Sequence, residues 1–271
     1  MKTGFVISLL PTPPSAPFLF SGRLEEGLKA AAQLGFQGVE LNILDPGAED
    51  GPALRALLRG YGLEMCTIAT GQAYGRHGLS LSHLDADIRR RALERLRSHA
   101  ELATLLESPV TVGLIRGILS GDAGQQAEGR ARALEGLHSF AAYASTLGVT
   151  VYLEALNRYE CNFVNTVAEG LQTLQEIGAS NLYLLADVFH MNIEEVDMGA
   201  SLLGAGKRLG YVHFADSNRW APGNGHTDFA PILRALRQIG YNRYVTVEIC
   251  PRPDDLTAAQ RSAEFLQRHL S

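Results

Sequence analysis

The stretch VTVYLEALNRYECNFVNTVAEGLQTLQEIGASNLYLLAD, from Val149 to Asp187, decides the fold. It opens on a short β-branched apolar run, VTVYLE, crosses a polar segment, becomes amphipathic from Val167 and closes on a second apolar run, LYLLAD. Short apolar runs separated by a helical period are what a buried parallel sheet with crossover helices produces. Thr166 stands where an N-cap belongs and Gly178 where a left-handed C-cap belongs, so both ends of the helix are marked.

Outward from this unit the pattern repeats. Strand candidates are GFVIS from Gly4, GVELNI from Gly38, LEMCTIA from Leu63, VTVGLI from Val110, the two runs above, YVHFAD from Tyr211 and YVTVEI from Tyr244. Gly35, Gly62, Gly148, Gly178, Gly210 and Gly240 each stand between a helix candidate and the next strand. Ser82 with Asp85 reads as a capping-box variant ahead of LDADIRRRALERLRSHAELATLL. Eight βα units in 271 residues predict an α/β fold, a single-domain (β/α)8 TIM barrel over residues 1–271, ahead of a doubly wound open sheet. The proline-rich PTPPSAP from Pro11 becomes the first βα loop.

A net charge of −5 without any dense Lys/Arg tract argues against nucleic acid or anionic membrane as a partner and for a small polar substrate. Cys66, Cys161 and Cys250 are odd in number and lack C-x-x-C spacing, which points to a reducing, cytoplasmic setting. No apolar run reaches transmembrane length.

In such a barrel the C-terminal strand ends converge on one mouth. Four consecutive strands end there in metal-ligand types: Glu154, Asp187, His213 and Glu248, separated by 33, 26 and 35 residues, each about one βα unit. One such carboxylate would be an ordinary helix cap or a partner for a loop arginine. Three acids in succession on apolar strands are costly to bury together unless a cation compensates them. Three carboxylates and an imidazole suit one hard divalent ion, Mn²⁺ foremost, with Co²⁺ or Mg²⁺ as alternatives.

The strings LEALNRYE from Leu153, DVFHMNIEE from Asp187, HFADSNRWAPGNGHTDF from His213 and VEIC from Val247 resemble the xylose-isomerase-like barrel superfamily, above all its ketose 3-epimerases of the D-tagatose and D-allulose type. In the first half only the broad pattern, such as GFQGVEL from Gly35, is similar. The resemblance implies that Glu154, Asp187, His213 and Glu248 hold the metal, that Glu154 and Glu248 also move protons, and that Glu160, His190 and Arg219 touch the substrate. It implies a sugar epimerase that inverts the carbon beside the carbonyl of a ketose or keto-acid sugar by two-base proton transfer through a metal-stabilised enediolate. It also implies a homodimer or homotetramer. Read without it, His190 could be bonded to a loop carbonyl, Arg219 solvated, and Glu160 paired with Arg158.

Arg116 ends GLIRG and points into the same mouth if strand alternation holds; otherwise it pairs with Asp122 or an acid of the site. As a substrate-binding cation it would suit a carboxylate-bearing sugar, and HFADSNRWAPG looks closer to relatives acting on keto-acid sugars or 3-keto-glycosides. GAGKRLG from Gly204 precedes a strand, so it reads as a helix C-terminus and not as a phosphate loop, while Asp228 reads as the cap of FAPILRALRQIG. His77 and His83 read as solvated. The competing functions are an aldose–ketose isomerase, an abasic-site endonuclease, which needs further ligands where this chain has Thr70 and Arg116, and a non-catalytic sugar-binding protein.

Overall fold

In the computed structural model, which describes residues 1–270, the strands are β1 (Lys2–Ser8), β2 (Gly38–Asn42), β3 (Glu64–Ala69), β4 (Val110–Val112), β5 (Val151–Glu154), β6 (Leu182–Asp187), β7 (Leu209–Phe214) and β8 (Tyr244–Val247). All neighbours pair in parallel, and β1 closes on β8 with Phe5 opposite Val247. The barrel excludes the open-sheet alternative. Its outer layer is α1 (Leu24–Gln33), α2 (Gly51–Gly60), α4 (Ala86–Leu106), α5 (Ala123–Thr146), α6 (Val167–Ile177), α8 (Met198–Ala205), α9 (Phe229–Gln238) and α10 (Asp255–Leu270). The short helices α3 (Gly71–His77) and α7 (Val188–Glu194) sit in the loops after β3 and β6. Among the described residues no helix is long and apolar enough to cross a membrane.

The strands are buried on both faces: Phe5, Ile7, Leu41, Ile68, Val151, Leu184 and Val247 pack outward against the helices, while the alternate side chains fill the inside. Inside the barrel, two positions before Glu154, Asp187 and His213 on their strands, Tyr152, Leu185 and Tyr211 cluster with Cys66, with the Tyr152 and Tyr211 rings stacked at 5.2 Å. Glycine is required there for space: a Cβ on Gly210 would lie 2.6 Å from both Tyr152 and Tyr183. Gly210 is therefore a strand residue of β7 and not the expected helix cap, which is Gly206, at φ +50 after α8. The other five glycines do adopt positive φ.

Two helix starts behave differently from one another. Thr166 caps α6 by accepting from Glu169 N, and Asp228 caps α9 by accepting from Ala230 N. Ser82 does not cap α4; Asp85 does, through Asp87 N, and Ser82 Oγ instead donates to Ile118 O at 3.1 Å. Asp85 directly precedes the first helical residue and closes on its own helix, which leaves the serine to the neighbouring loop.

Candidate metal centre

Glu154, Asp187 and His213 lie at the mouth ends of β5, β6 and β7, and Glu248 directly follows β8. One donor atom from each lies within 4.8 Å of the others. His213 Nδ1 sits among the acids, 3.5 Å from Glu154 Oε1, 3.7 Å from Glu248 Oε2 and 3.9 Å from Asp187 Oδ2. It is buried without a hydrogen-bond partner, whereas Nε2 lies 2.8 Å from Glu40 Oε2. Glu40, on β2, is wholly buried inside the barrel. A carboxylate behind the imidazole favours the tautomer that keeps hydrogen on Nε2 and turns the Nδ1 lone pair toward the acids.

Main-chain groups aim the other donors. Asp187 Oδ1 caps α7 by accepting from Phe189 N at 2.8 Å, which leaves Oδ2 to the cluster. Gly113 leaves room for Glu154, since a Cβ there would fall 2.8 Å from its Oε2. Burial pushes the Asp187 carboxyl up to about 7, with Glu248 and Glu154 adding to it and Arg219 and His213 opposing. Burial also raises Glu154, opposed by the His213 imidazole beside it. Burial disfavours a charged His213, but Glu40, Glu248 and Glu154 outweigh it and hold its affinity for a proton well above the ordinary value. The set therefore needs positive charge, from protons or from a cation. Three hard carboxylates converging with an orphaned imidazole nitrogen fit a divalent ion, with Glu154, Asp187, His213 and Glu248 as its holders.

Over this cluster lies Arg219, in left-handed backbone at φ +60. Its guanidinium pairs with Glu248, lies 3.3 Å from Asp187 Oδ2 and 3.7 Å from Glu160 Oε1, and stacks 4.5 Å above the Phe189 ring. So Arg219 is not solvated. Asp216 shapes its loop by accepting from Ser217 N, Gly223 N and Thr227 N at 2.7, 2.8 and 3.0 Å.

His190 is buried, with Nε2 3.5 Å from Asp187 Oδ2. Its Nδ1 lies 2.7 Å from Asn157 Nδ2, whose amide orientation is fixed because Tyr159 N donates to Asn157 Oδ1. An amide nitrogen only donates, so Nδ1 accepts and the ring hydrogen sits on Nε2, facing the cluster. Burial and Arg219 hold His190 neutral, well below its ordinary value. Glu160 shares the Asn157 amide at 3.2 Å, while Arg158, its expected alternative partner, forms an ion pair with Glu194 at 2.7 Å.

Arg116 departs from expectation. β4 stops at Val112, a 3-10 turn spans Leu114–Arg116, and alternation no longer predicts direction. Its fully buried guanidinium donates to Phe163 O, Gly113 O and Val164 O at 2.9, 3.0 and 3.2 Å. It has no carboxylate partner among the described residues, Asp122 being the cap of α5, and it does not line the mouth. Arg116 is a clamp on the loop that carries Glu160, not a substrate contact.

The mouth is a cavity of about 390 Å³, lined among others by Glu154, Glu160, His190, His213, Arg219 and Glu248. Its size suits a small sugar. Over 228 residues the chain is 36% identical to the L-ribulose 3-epimerase of Methylomonas sp., covering 82% of this chain and 77% of that protein. It is 33% identical over 255 residues to the L-ribulose 3-epimerase of Mesorhizobium japonicum, covering 92% and 79%. The crystal structure of D-allulose 3-epimerase from Methylomonas sp. in complex with D-allulose matches with a TM-score of 0.83 at 29% identity, over 99% of this chain and 97% of that one. The sequence pattern of the xylose isomerase-like TIM barrel covers residues 28–269.

The chain belongs to that family, among its carbohydrate epimerases.

In this xylose isomerase-like barrel, sequence reasoning missed Glu40, Asn157, Asp216 and Gly113. Glu40 was visible within GVELNI as an acid in an apolar strand, and that was its only signal.

Three outcomes are expected. As pH rises from the ordinary carboxylate range through about 7, the folded protein gives up protons that the unfolded chain has already lost, so the metal-free protein loses stability. A divalent ion competes with those protons, so the rise in melting temperature on adding Mn²⁺ is larger near about pH 8 than near about pH 5. An equal rise at both would contradict the assignment. Glu40→Gln weakens Mn²⁺ binding by roughly 10- to 100-fold in calorimetric titration; native affinity would show that Glu40 does not orient His213. Arg116→Met costs about 3 kcal/mol in urea unfolding, because three hydrogen bonds from a buried charged group are lost, although each carbonyl keeps a second donor in Arg116 N, Leu156 N or Cys161 Sγ. Native stability would refute the clamp.

Proposed function

We propose that this xylose isomerase-like barrel is a ketose 3-epimerase that depends on one divalent ion, Mn²⁺ foremost, and that Glu154 and Glu248 are its two bases. The observation that carries this reading is the pair of carboxylates on either side of His213 Nδ1, at 3.5 and 3.7 Å, reaching the mouth from β5 and from the end of β8. Strands three positions apart present their side chains from different sides of a bound sugar, which is what inversion needs.

Glu154, Asp187, His213 and Glu248 would hold the ion, which would supply positive charge to stabilise the negative charge left when the C3 proton departs. Glu154 or Glu248 takes that proton from one face, and the other glutamate returns one from the opposite face. Their roles exchange with the direction of reaction. Burial raises the Glu154 carboxyl, which makes it a stronger base once it is deprotonated in place. His190 offers its Nε2 hydrogen to a substrate oxygen at C1 or C2. Arg219, held against Glu160 and Phe189, binds another and keeps the sugar from tilting.

L-ribulose and D-allulose, which the names of the relatives carry, are the first substrates to test. The same reading includes a homodimer or homotetramer working in the cytosol, in keeping with three free cysteines, Cys66 and Cys161 among them buried.

Mn²⁺-loaded protein in D₂O, given each ketose in turn and followed by proton NMR, should place deuterium at C3 and yield the 3-epimer. Glu154→Gln and Glu248→Gln should each abolish formation of the 3-epimer while the variants still fold. Exchange at C1 with aldose formation would make the enzyme an aldose–ketose isomerase, and exchange with no ketose at all would end the epimerase reading.

A further inference from the structure

Apart from Glu40 behind His213, the residues given chemical roles above come from the β5 to β8 half of the mouth. The cavity extends to the other half, where the ends of β1, β2 and β3 add Asn42, Thr70, Gln72 and Arg76 to its lining. Two of these carry polar atoms that find no protein partner although they are buried. Asn42, last residue of β2 and two positions beyond the inward-facing Glu40, is 5% exposed, and its Oδ1 has no donor. Gln72, in the first turn of α3, is 8% exposed, and its Oε1 likewise has none.

The orientation of the Gln72 amide follows from its neighbours. Ser8 Oγ donates its only hydrogen to Leu10 O at 2.6 Å, so toward Gln72 it can only accept. Gln72 Nε2 supplies that hydrogen at 2.6 Å, and the atom left over is therefore the carbonyl oxygen. A buried acceptor without a donor is costly, and such atoms in a cavity wall mark where a ligand donates. The Gln72 carbonyl and the free Asn42 amide stand in a mouth also lined by Glu40, Glu154, Glu160 and Glu248, which repels an anionic group and welcomes hydroxyl hydrogens. The cation on this side, Arg76, is exposed and donates to Pro11 O at 2.7 Å, where it ties the first βα loop to α3.

We propose that Asn42 and Gln72 are specificity-determining residues, and that they select a neutral ketose with free hydroxyl groups on the carbons beyond the reacting one. The inference rests on the ketose reading of the site, with C1 to C3 held on the β5 to β8 side and the rest of the chain directed toward β2 and β3.

The test uses the Mn²⁺-loaded enzyme, a hexulose that it epimerises, the analogues lacking the C5 or the C6 hydroxyl, and the corresponding keto-aldonate. In the native enzyme removal of at least one hydroxyl lowers kcat/KM by about 10- to 100-fold. Asn42→Ala or Gln72→Leu lowers kcat/KM for the parent sugar to the level of that analogue and adds no further loss on the analogue itself. Both deoxy sugars reacting within about threefold of the parent in the native enzyme would overturn the proposal without touching the epimerase reading. Preference for the keto-aldonate would also overturn it, in favour of an anionic tail at Arg76. Absence of C3 exchange with every parent ketose brings down the epimerase reading and this proposal together.

Discussion

The arrangement depends on one constraint: Glu40, Glu154, Asp187 and Glu248 are all withdrawn from water around a single imidazole. Like charges at this spacing cannot all be ionised in an interior without compensation. The protein supplies part of that compensation itself, with Arg219 laid across Asp187 and Glu248 and with a His213 that attracts a proton strongly. The remainder is a standing demand for positive charge at the point where Nδ1 and three carboxylates converge. That demand is why the four side chains fit a cation, even though Asp187 also serves as a helix cap.

A set of donors is useful only if its geometry is held, and here the backbone does most of the holding. Asp187 spends one oxygen as the N-cap of α7, so the other is aimed without any further side chain. Asp216 gathers the main-chain N–H groups of the loop after β7, and the loop in turn presents Arg219 in left-handed backbone. Arg116 draws three carbonyls together and so secures the loop bearing Asn157 and Glu160. Asn157 then sets the tautomer of His190. Polar side chains bonded to backbone lose little by being buried, which is why this support sits in the interior and need not be exposed.

The barrel itself was legible in the sequence because strands, helical period and glycine caps agree, and all eight strand candidates lie on observed strands. The four donors were legible because each falls one βα unit after the last. What escaped reading was whatever depends on contacts between distant strands. Glu40 meets His213 across the barrel, and no local pattern in GVELNI could announce it. Arg116 was misplaced because extrapolating the strand past Val112 ignored the turn that Gly113 begins. Gly210 followed the cap pattern in spacing, yet it is demanded by two tyrosines from other strands.

The two halves of the mouth thus differ in kind. The β5 to β8 half is crowded with charge and closely braced by caps and clamps, which fits a task sensitive to small displacements of protons and oxygens. In the β1 to β3 half Glu40 is bonded to His213 and Arg76 to Pro11 O, and the amides of Asn42 and Gln72 are partly left free by the protein. A fold that fixes the reacting carbons by charge and reads the rest of the sugar by hydrogen bonding can change the second without disturbing the first, because different loops carry them. On the proposed reading, that separation would let similar barrels keep one reaction centre while accepting different sugars.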